Sequence, residues 1–105
     1  MNLTDLFKQA KDVQAKAQAM QADIARIEVE GESGAGLVRV ALNGKSELIR
    51  VAIDPSLLKP DEQGVVQDLV IAAHADAKAK LERRVAEEMQ RIAREIGLPP
   101  GMLGG

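Results

Sequence analysis

The sequence has no cysteine, no tryptophan and no tyrosine, and its only aromatic residue is Phe7. The lack of cysteine excludes disulfides, thiolate chemistry and Cys-based zinc sites, and it fits a cytoplasmic protein. The scarcity of aromatics argues against a sheet that stacks unpaired bases, because such folds need several flat side chains. No apolar run approaches the ~20 residues of a membrane span, so no membrane partner is expected. The N-terminal stretch MNLTDLFKQA lacks a basic segment followed by an apolar one and does not read as a secretory signal. Net charge is only −2, so there is no global positive field to draw in an anionic partner. His74 is the sole histidine and falls near the apolar side of a helical pattern, which suggests a half-buried structural role. No second His or Cys sits at metal-ligand spacing, and Ser33, Ser46 and Ser56 have no sequence companion that suggests a triad. The chain therefore reads as a non-enzyme with no cofactor, no metal and no small-molecule substrate.

What the sequence does contain is a compact β segment between two long helical patterns. With 105 residues, 46% of them hydrophobic, the chain suggests one domain, residues 1–105, with enough apolar material for a core. Val38, Val40 and Leu42 alternate with Arg39 and Ala41, and Ile49, Val51 and Ile53 alternate with Arg50 and Ala52. Period two gives each run one apolar face and one mixed face. Asn43-Gly44 lies between the runs and favours a type I′ hairpin turn, because both residues tolerate positive φ. An earlier strand is expected from Ile27 to Glu30, with Ile27 and Val29 inward and Glu28 and Glu30 outward. The glycine-rich Gly31-Glu-Ser-Gly-Ala-Gly36 is not followed by Lys and Ser or Thr, and it leads into a strand rather than a helix. It is read as a tight or bulged connection between strands, not a phosphate loop.

Before the β segment, Leu3, Leu6, Ala10, Val13, Ala17, Met20, Ile24 and Ile27 are spaced alternately three and four apart, a heptad seam. This predicts a helix over about 3–26, with Thr4 and Asp5 as candidate N-caps. The seam is narrow and partly alanine, so it serves either as a core-facing stripe or as one side of a coiled coil. After the β segment, Asp54-Pro55-Ser56 ends the sheet, which spans about 27–54, and Ser56-Leu57-Leu58 forms a short turn. Asp61 is a natural N-cap for a second helix over about 62–96, which Gly97 and Pro99-Pro100-Gly101 terminate, leaving a tail over 97–105. The first half of this helix is apolar around much of its circumference, which suggests burial under the sheet. Its second half carries the stripe Leu81, Val85, Met89, Ile92 and Ile96. At roughly 100° per residue, Lys80, Arg83, Arg84, Arg91 and Arg94 fall in an arc opposite that stripe, with Glu87 among them. From Lys78 to Arg94 there are six basic and three acidic residues, a local excess of three positive charges. Such a face is either a solvated one laced with pairs such as Glu87–Arg91 or a phosphate-binding one. Narrow stripes and one short sheet cannot all be covered within a single small subunit, so a homodimer is expected.

Several motifs together resemble the YbaB/EbfC family of bacterial nucleoid-associated proteins. They are Gly31-Glu-Ser-Gly-Ala-Gly-Leu-Val38, Asn43-Gly44, Val51-x-Ile53-Asp-Pro-Ser-Leu-Leu58, Asp68-Leu-Val70, Ala72-Ala73, Asp76-Ala77 and Leu98-Pro-Pro-Gly101, with Lys8-Gln-Ala10 and Met20-Gln21 in the first helix. The resemblance implies an α+β subunit of order α-β-β-β-α, in which an antiparallel three-stranded sheet is flanked by two long helices. It also implies dimerisation through the sheet region, projecting helices, double-stranded DNA as partner, little sequence preference and location in the nucleoid. One departure is Ala75, where members of the family can carry Asn before the Asp-Ala pair. The DNA-binding candidates come from the charge pattern: Lys8 and Lys11 on the first helix, and Lys80, Arg83, Arg84, Arg91 and Arg94 on the second, with Arg39 and Arg50 on the sheet in reserve. The competing reading is a dimeric protein–protein interaction module that does not touch DNA.

Overall fold

The computed structural model describes residues 2–95 and Gly97. In chain order it contains α1 (Leu3–Ala25), β1 (Glu28–Ser33), β2 (Val38–Asn43), β3 (Leu48–Ile53) and α2 (Gln63–Glu95), the α-β-β-β-α order expected. The strands form one antiparallel sheet in the order β1-β2-β3. Two short 3-10 turns, Pro55–Leu57 and Pro60–Glu62, join β3 to α2. The first is the turn expected after Asp54, and it buries Leu57. Asp61 belongs to the second turn and does not cap α2. At the other end of α2, Gly97 has φ 77 and donates its N–H to Arg94 O, so the helix stops where glycine permits the left-handed conformation. Ile96, at the end of the expected stripe, and the tail beyond Gly97 lie outside the described residues. None of the helices is long and apolar enough to cross a membrane, among the described residues.

The core is a single layer between the sheet and α2. Val38, Val40 and Leu42 point from β2 toward the helix and are fully buried there, with Ile27, Leu57, Ala73, Ala77 and Leu81 around them. Helix and sheet approach unusually closely at Gly31. A side chain there would overlap the Ala73 carbonyl oxygen and the Ala77 backbone nitrogen of α2. Glycine on the strand and alanine at i and i+4 on the helix let the two backbones meet. Three polar contacts fasten the same seam. The Glu32 N–H donates to the Asp76 carboxylate at 3.0 Å, the Ser33 hydroxyl donates to Leu69 O at 2.5 Å, and the Lys80 ammonium donates to Glu30 O at 3.3 Å.

The turns differ from the sequence expectation. Gly34 (φ 59) and Ala35 (φ 55) occupy the centre of the β1–β2 turn, both at the positive φ that a type I′ turn requires. The β2–β3 connection is longer. Asn43 stays in β2, and its side-chain oxygen accepts from the Lys45 and Glu47 N–H groups at 2.9 and 3.1 Å. Ser46, not Gly44, takes the positive φ, at 64. This is the three-residue hairpin loop, in which the last loop residue turns left-handed. The register shifts here, since Ala41 pairs with Arg50 but Leu42 with Leu48, leaving Ile49 as an extra residue on β3. Gly44 is needed for a different reason: a Cβ there would strike Ile24 O in the last turn of α1. Gly44→Ala is expected to cost about 1–3 kcal/mol through that overlap, read as a lower thermal midpoint. An unchanged midpoint would mean that α1 gives way without loss.

Three apolar surfaces stay uncovered within one subunit, among the described residues. Helix α2 lies across β1 and β2, while Leu48, Ile49 and Val51 of β3 remain about half exposed, Val51 at 46%. On α2 itself, Val66, Leu69, Val70 and Ala73 face the sheet, but Val65 and Ile71 are exposed, so only part of its apolar first half is buried. His74 is also exposed, because it lies about 100° around the helix from Ala73. Helix α1 has no buried residue. Asn2, rather than Thr4 or Asp5, caps it through a bond from the Asp5 N–H. Only its last turns touch the body, and Leu3 and Val13 of the heptad seam stand about two-thirds exposed, as does Phe7 beside it.

Candidate nucleic-acid interface

Lys8, Lys11, Arg83, Arg84, Arg91 and Arg94 are exposed helix residues and Lys80 is half-buried, and the surroundings of each are set by its place along its helix. Lys80, Arg83 and Arg84 are one turn of α2, next to Leu81 on its buried side. With Glu87 and the edge residue Val29 they line one shallow hollow. Lys80 is the least free of the three. Its ammonium sits 2.9 Å from Asp76 and 3.3 Å from Glu30 O, so it also helps join α2 to β1. Arg83 makes no ion pair among the described residues, and neither does Arg94.

Arg84 and Arg91 flank Glu88. Arg84 lies 3.4 Å from one Glu88 oxygen, and the Arg91 Nε donates to the other at 3.1 Å. Arg91 also pairs with Glu95. The expected Glu87–Arg91 pair is replaced by these, because Glu88 sits at the margin of the buried stripe with its side chain only 12% exposed. The hydrogen bond from Arg91, followed by the charges of Arg91 and Arg84, holds the Glu88 carboxyl below the usual carboxylate range. The Glu32 N–H, followed by Lys80, does the same for Asp76. Both carboxylates are therefore ionised at neutral pH.

Beside Glu88 the two helices leave a cleft lined by Asp23, Arg26 and Ile27 from the end of α1 and by Arg84, Glu88 and Arg91 from α2. Arg26 was not among the sequence candidates. Its relevance depends on where α1 ends, which periodicity placed only approximately. Lys8 and Lys11 lie elsewhere. Helix α1 meets α2 through Lys16, Ala19, Met20 and Asp23 opposite Arg91, Ile92 and Glu95. Both lysines are further toward the α1 tip, so one subunit does not bring them beside the α2 cluster. Arg39 and Arg50 are on the outer sheet face, where Glu30 and Glu32 neighbour Arg39 and Glu28 neighbours Arg50. That face is close to charge-balanced. No group of His, Cys, Asp or Glu suited to a metal ion occurs among the described residues.

This arrangement, an exposed basic flank on a long helix packed on a small sheet, can be set against known proteins. Residues 1–96 match the model of the YbaB/EbfC DNA-binding family. The chain belongs to that family. A nucleoid-associated protein of Rhodopseudomonas palustris (strain BisB5) is 55% identical over 97 residues, covering 92% of each chain. One of Methylocella silvestris is 50% identical over 101 residues, covering 96% of this chain and 94% of that one. The crystal structure of an uncharacterized protein, HP0035 from Helicobacter pylori, aligns with a TM-score of 0.66 over 91% of this chain and 97% of that one. At 23% identity it shares the fold. The YbaB/EbfC motifs that identify the chain are largely architectural. Gly31, Asp76 and Ala77 bind β1 to α2, and Asp54-Pro-Ser-Leu forms the turn that buries Leu57. The basic residues proposed to contact DNA lie mostly outside those motifs.

Proposed function

We propose that this YbaB/EbfC protein is a homodimer located in the nucleoid that binds duplex DNA through backbone phosphates, with little preference for sequence. The observation that carries this reading is the exposed basic flank of α2, Lys80, Arg83, Arg84, Arg91 and Arg94, in a chain of a DNA-binding family. Base readout needs side chains presented on an element that enters a groove. The flank offers instead a row of guanidinium groups along one helix, suited to phosphates, which position a protein without reading bases. Lys8 and Lys11 extend the basic set onto the α1 arm, and dimerisation doubles it. The second subunit is proposed to cover β3, whose edge and apolar residues are open in one subunit.

The test is a titration against unrelated duplexes at several salt concentrations. Weak-to-moderate affinity is expected, nearly equal across sequences and falling steeply with salt. Changing Arg83 and Arg84 together to Ala should weaken binding uniformly and flatten the log–log salt slope by up to about two units per subunit engaged. The subunit should stay folded, because both side chains face solvent. If affinity and slope stay at parental values, α2 is not the contact surface. A protein–protein module remains the second reading, favoured by the uncovered α1 seam at Leu3, Leu6 and Val13. A protein with no affinity for any duplex at low salt would point to it.

A further inference from the structure

We propose that Glu88 is an internal competitor for the DNA phosphates, holding Arg84 and Arg91 in a closed pair and setting the affinity of the α2 flank well below what its arginines allow. The inference rests on the reading of α2 as the DNA-contacting face.

Three observations carry it. First, Glu88 is the only carboxylate on α2 that two of the candidate arginines share, among the described residues, with one guanidinium on each of its oxygens. Second, it is largely withdrawn from water, its side chain 12% exposed, while Arg84 and Arg91 are about half exposed. The arginines therefore face outward, and the group that neutralises them sits behind. Third, the pair borders the cleft where Arg26 enters from α1. Arg26, Arg84 and Arg91 converge there beside Asp23 and Glu88, and Arg91 has Glu95 as a further partner outside the cleft. A carboxylate bridging two guanidinium groups presents the same acceptor chemistry that a phosphate would. An incoming phosphate must draw the arginines off Glu88 or share them with it. Either way the contact is weaker than one made to unpaired arginines, and fewer counterions are released when it forms. A half-screened surface suits a protein that must bind everywhere and settle nowhere.

The experiment compares Glu88→Gln with Glu87→Gln. Both remove one negative charge from the same flank, but Glu87 makes no ion pair among the described residues. Glu88→Gln is expected to tighten binding about tenfold at a fixed moderate salt and to steepen the salt slope by about one unit or more per subunit engaged. Glu87→Gln is expected to change affinity by less than about threefold, through general charge alone. Equal gains from the two variants would overturn the proposal, since the effect would then be the field and not the pairing. Unchanged or weaker binding by Glu88→Gln would also overturn it, showing that Glu88 holds the arginines ready for DNA. Should Glu88→Gln lower the melting midpoint, Glu88→Met removes the same charge while fitting beside Val85 and Ile92, and the same comparison applies. Arg84→Ala with Arg91→Ala separates the two levels. If that variant binds as the parent does, the reading of α2 as the DNA face fails. If it binds weakly while Glu88→Gln behaves as the parent, only the role of Glu88 fails.

Discussion

Valine at position 31 is expected to destabilise the subunit by about 3 kcal/mol or more, a large part of the ~5–15 kcal/mol that holds a domain of this size together. Local preference predicts the opposite, because valine favours strands over glycine by up to ~1 kcal/mol and position 31 is a strand residue. Packing decides against it. The side chain would enter the space held by the Ala73 carbonyl and the Ala77 backbone nitrogen. Neither is the end of a flexible side chain, so no rotamer change makes room. Helix α2 must move outward, which opens the layer over Val38, Val40 and Leu42 and stretches the Glu32–Asp76 and Ser33–Leu69 bonds. Urea unfolding followed by far-UV circular dichroism measures the loss. A midpoint equal to that of the parent would show that the backbones are not in contact at Gly31.

Glutamate in place of Val51 is expected to separate the proposed dimer while leaving each subunit folded. Val51 pairs with Val40 across the sheet and shares its face, yet it is 46% exposed because α2 does not reach β3. Its loss therefore removes little from the subunit's own core. Within the proposed interface, by contrast, the new carboxylate would be taken out of water without a partner, and two-fold symmetry brings two of them. The dimer dissociation constant should rise at least a hundredfold, about 2.7 kcal/mol. Sedimentation should give the mass of one chain at micromolar concentration, with helical signal retained. DNA affinity should fall as well, because each particle carries half the phosphate contacts and the salt slope scales with their number. A variant that still sediments as two chains would place the interface away from β3.

Periodicity made the elements legible. Strict alternation located β2 and β3 to within a residue or two, and the three-four spacing and the apolar stripe located both helices. The turns were less legible. Asn43-Gly44 carries the residues of a type I′ turn, but Asn43 is more valuable as the last strand residue, where its side chain bonds the loop backbone, and Gly44 is held to glycine by Ile24 of a distant helix. Nothing local encodes that approach. The α1 seam left a core-facing stripe and one side of a coiled coil equally open, and the subunit alone leaves most of it bare. On the basic flank, the i,i+4 spacing pointed to Glu87 as the partner of Arg91, and Glu88 takes that place. The choice depends on which carboxylate lies nearer the buried stripe, a matter of helix orientation that composition does not fix. Lys80 looked like a free cation and is in part a strut between α2 and β1.

The way α1 is mounted bears on how a duplex would be gripped under the proposed function. The helix is held at one end only, where Ile24 rests on the Gly44 loop and Met20 on Ile92. From there to Lys8 is about 24 Å of helix, at 1.5 Å per residue, with nothing among the described residues beside its outer half. It is a cantilever, and its stiffness resides in the clamp. A few degrees of tilt at Gly44 displace the tip by an ångström or more, enough to follow a groove that widens or narrows from one sequence to the next. If Lys8 meets phosphates as proposed, an arm that yields in this way would add compliance there and exert little preference among them. The residue that governs where Lys8 lands is then the glycine in the loop at the far end of the helix.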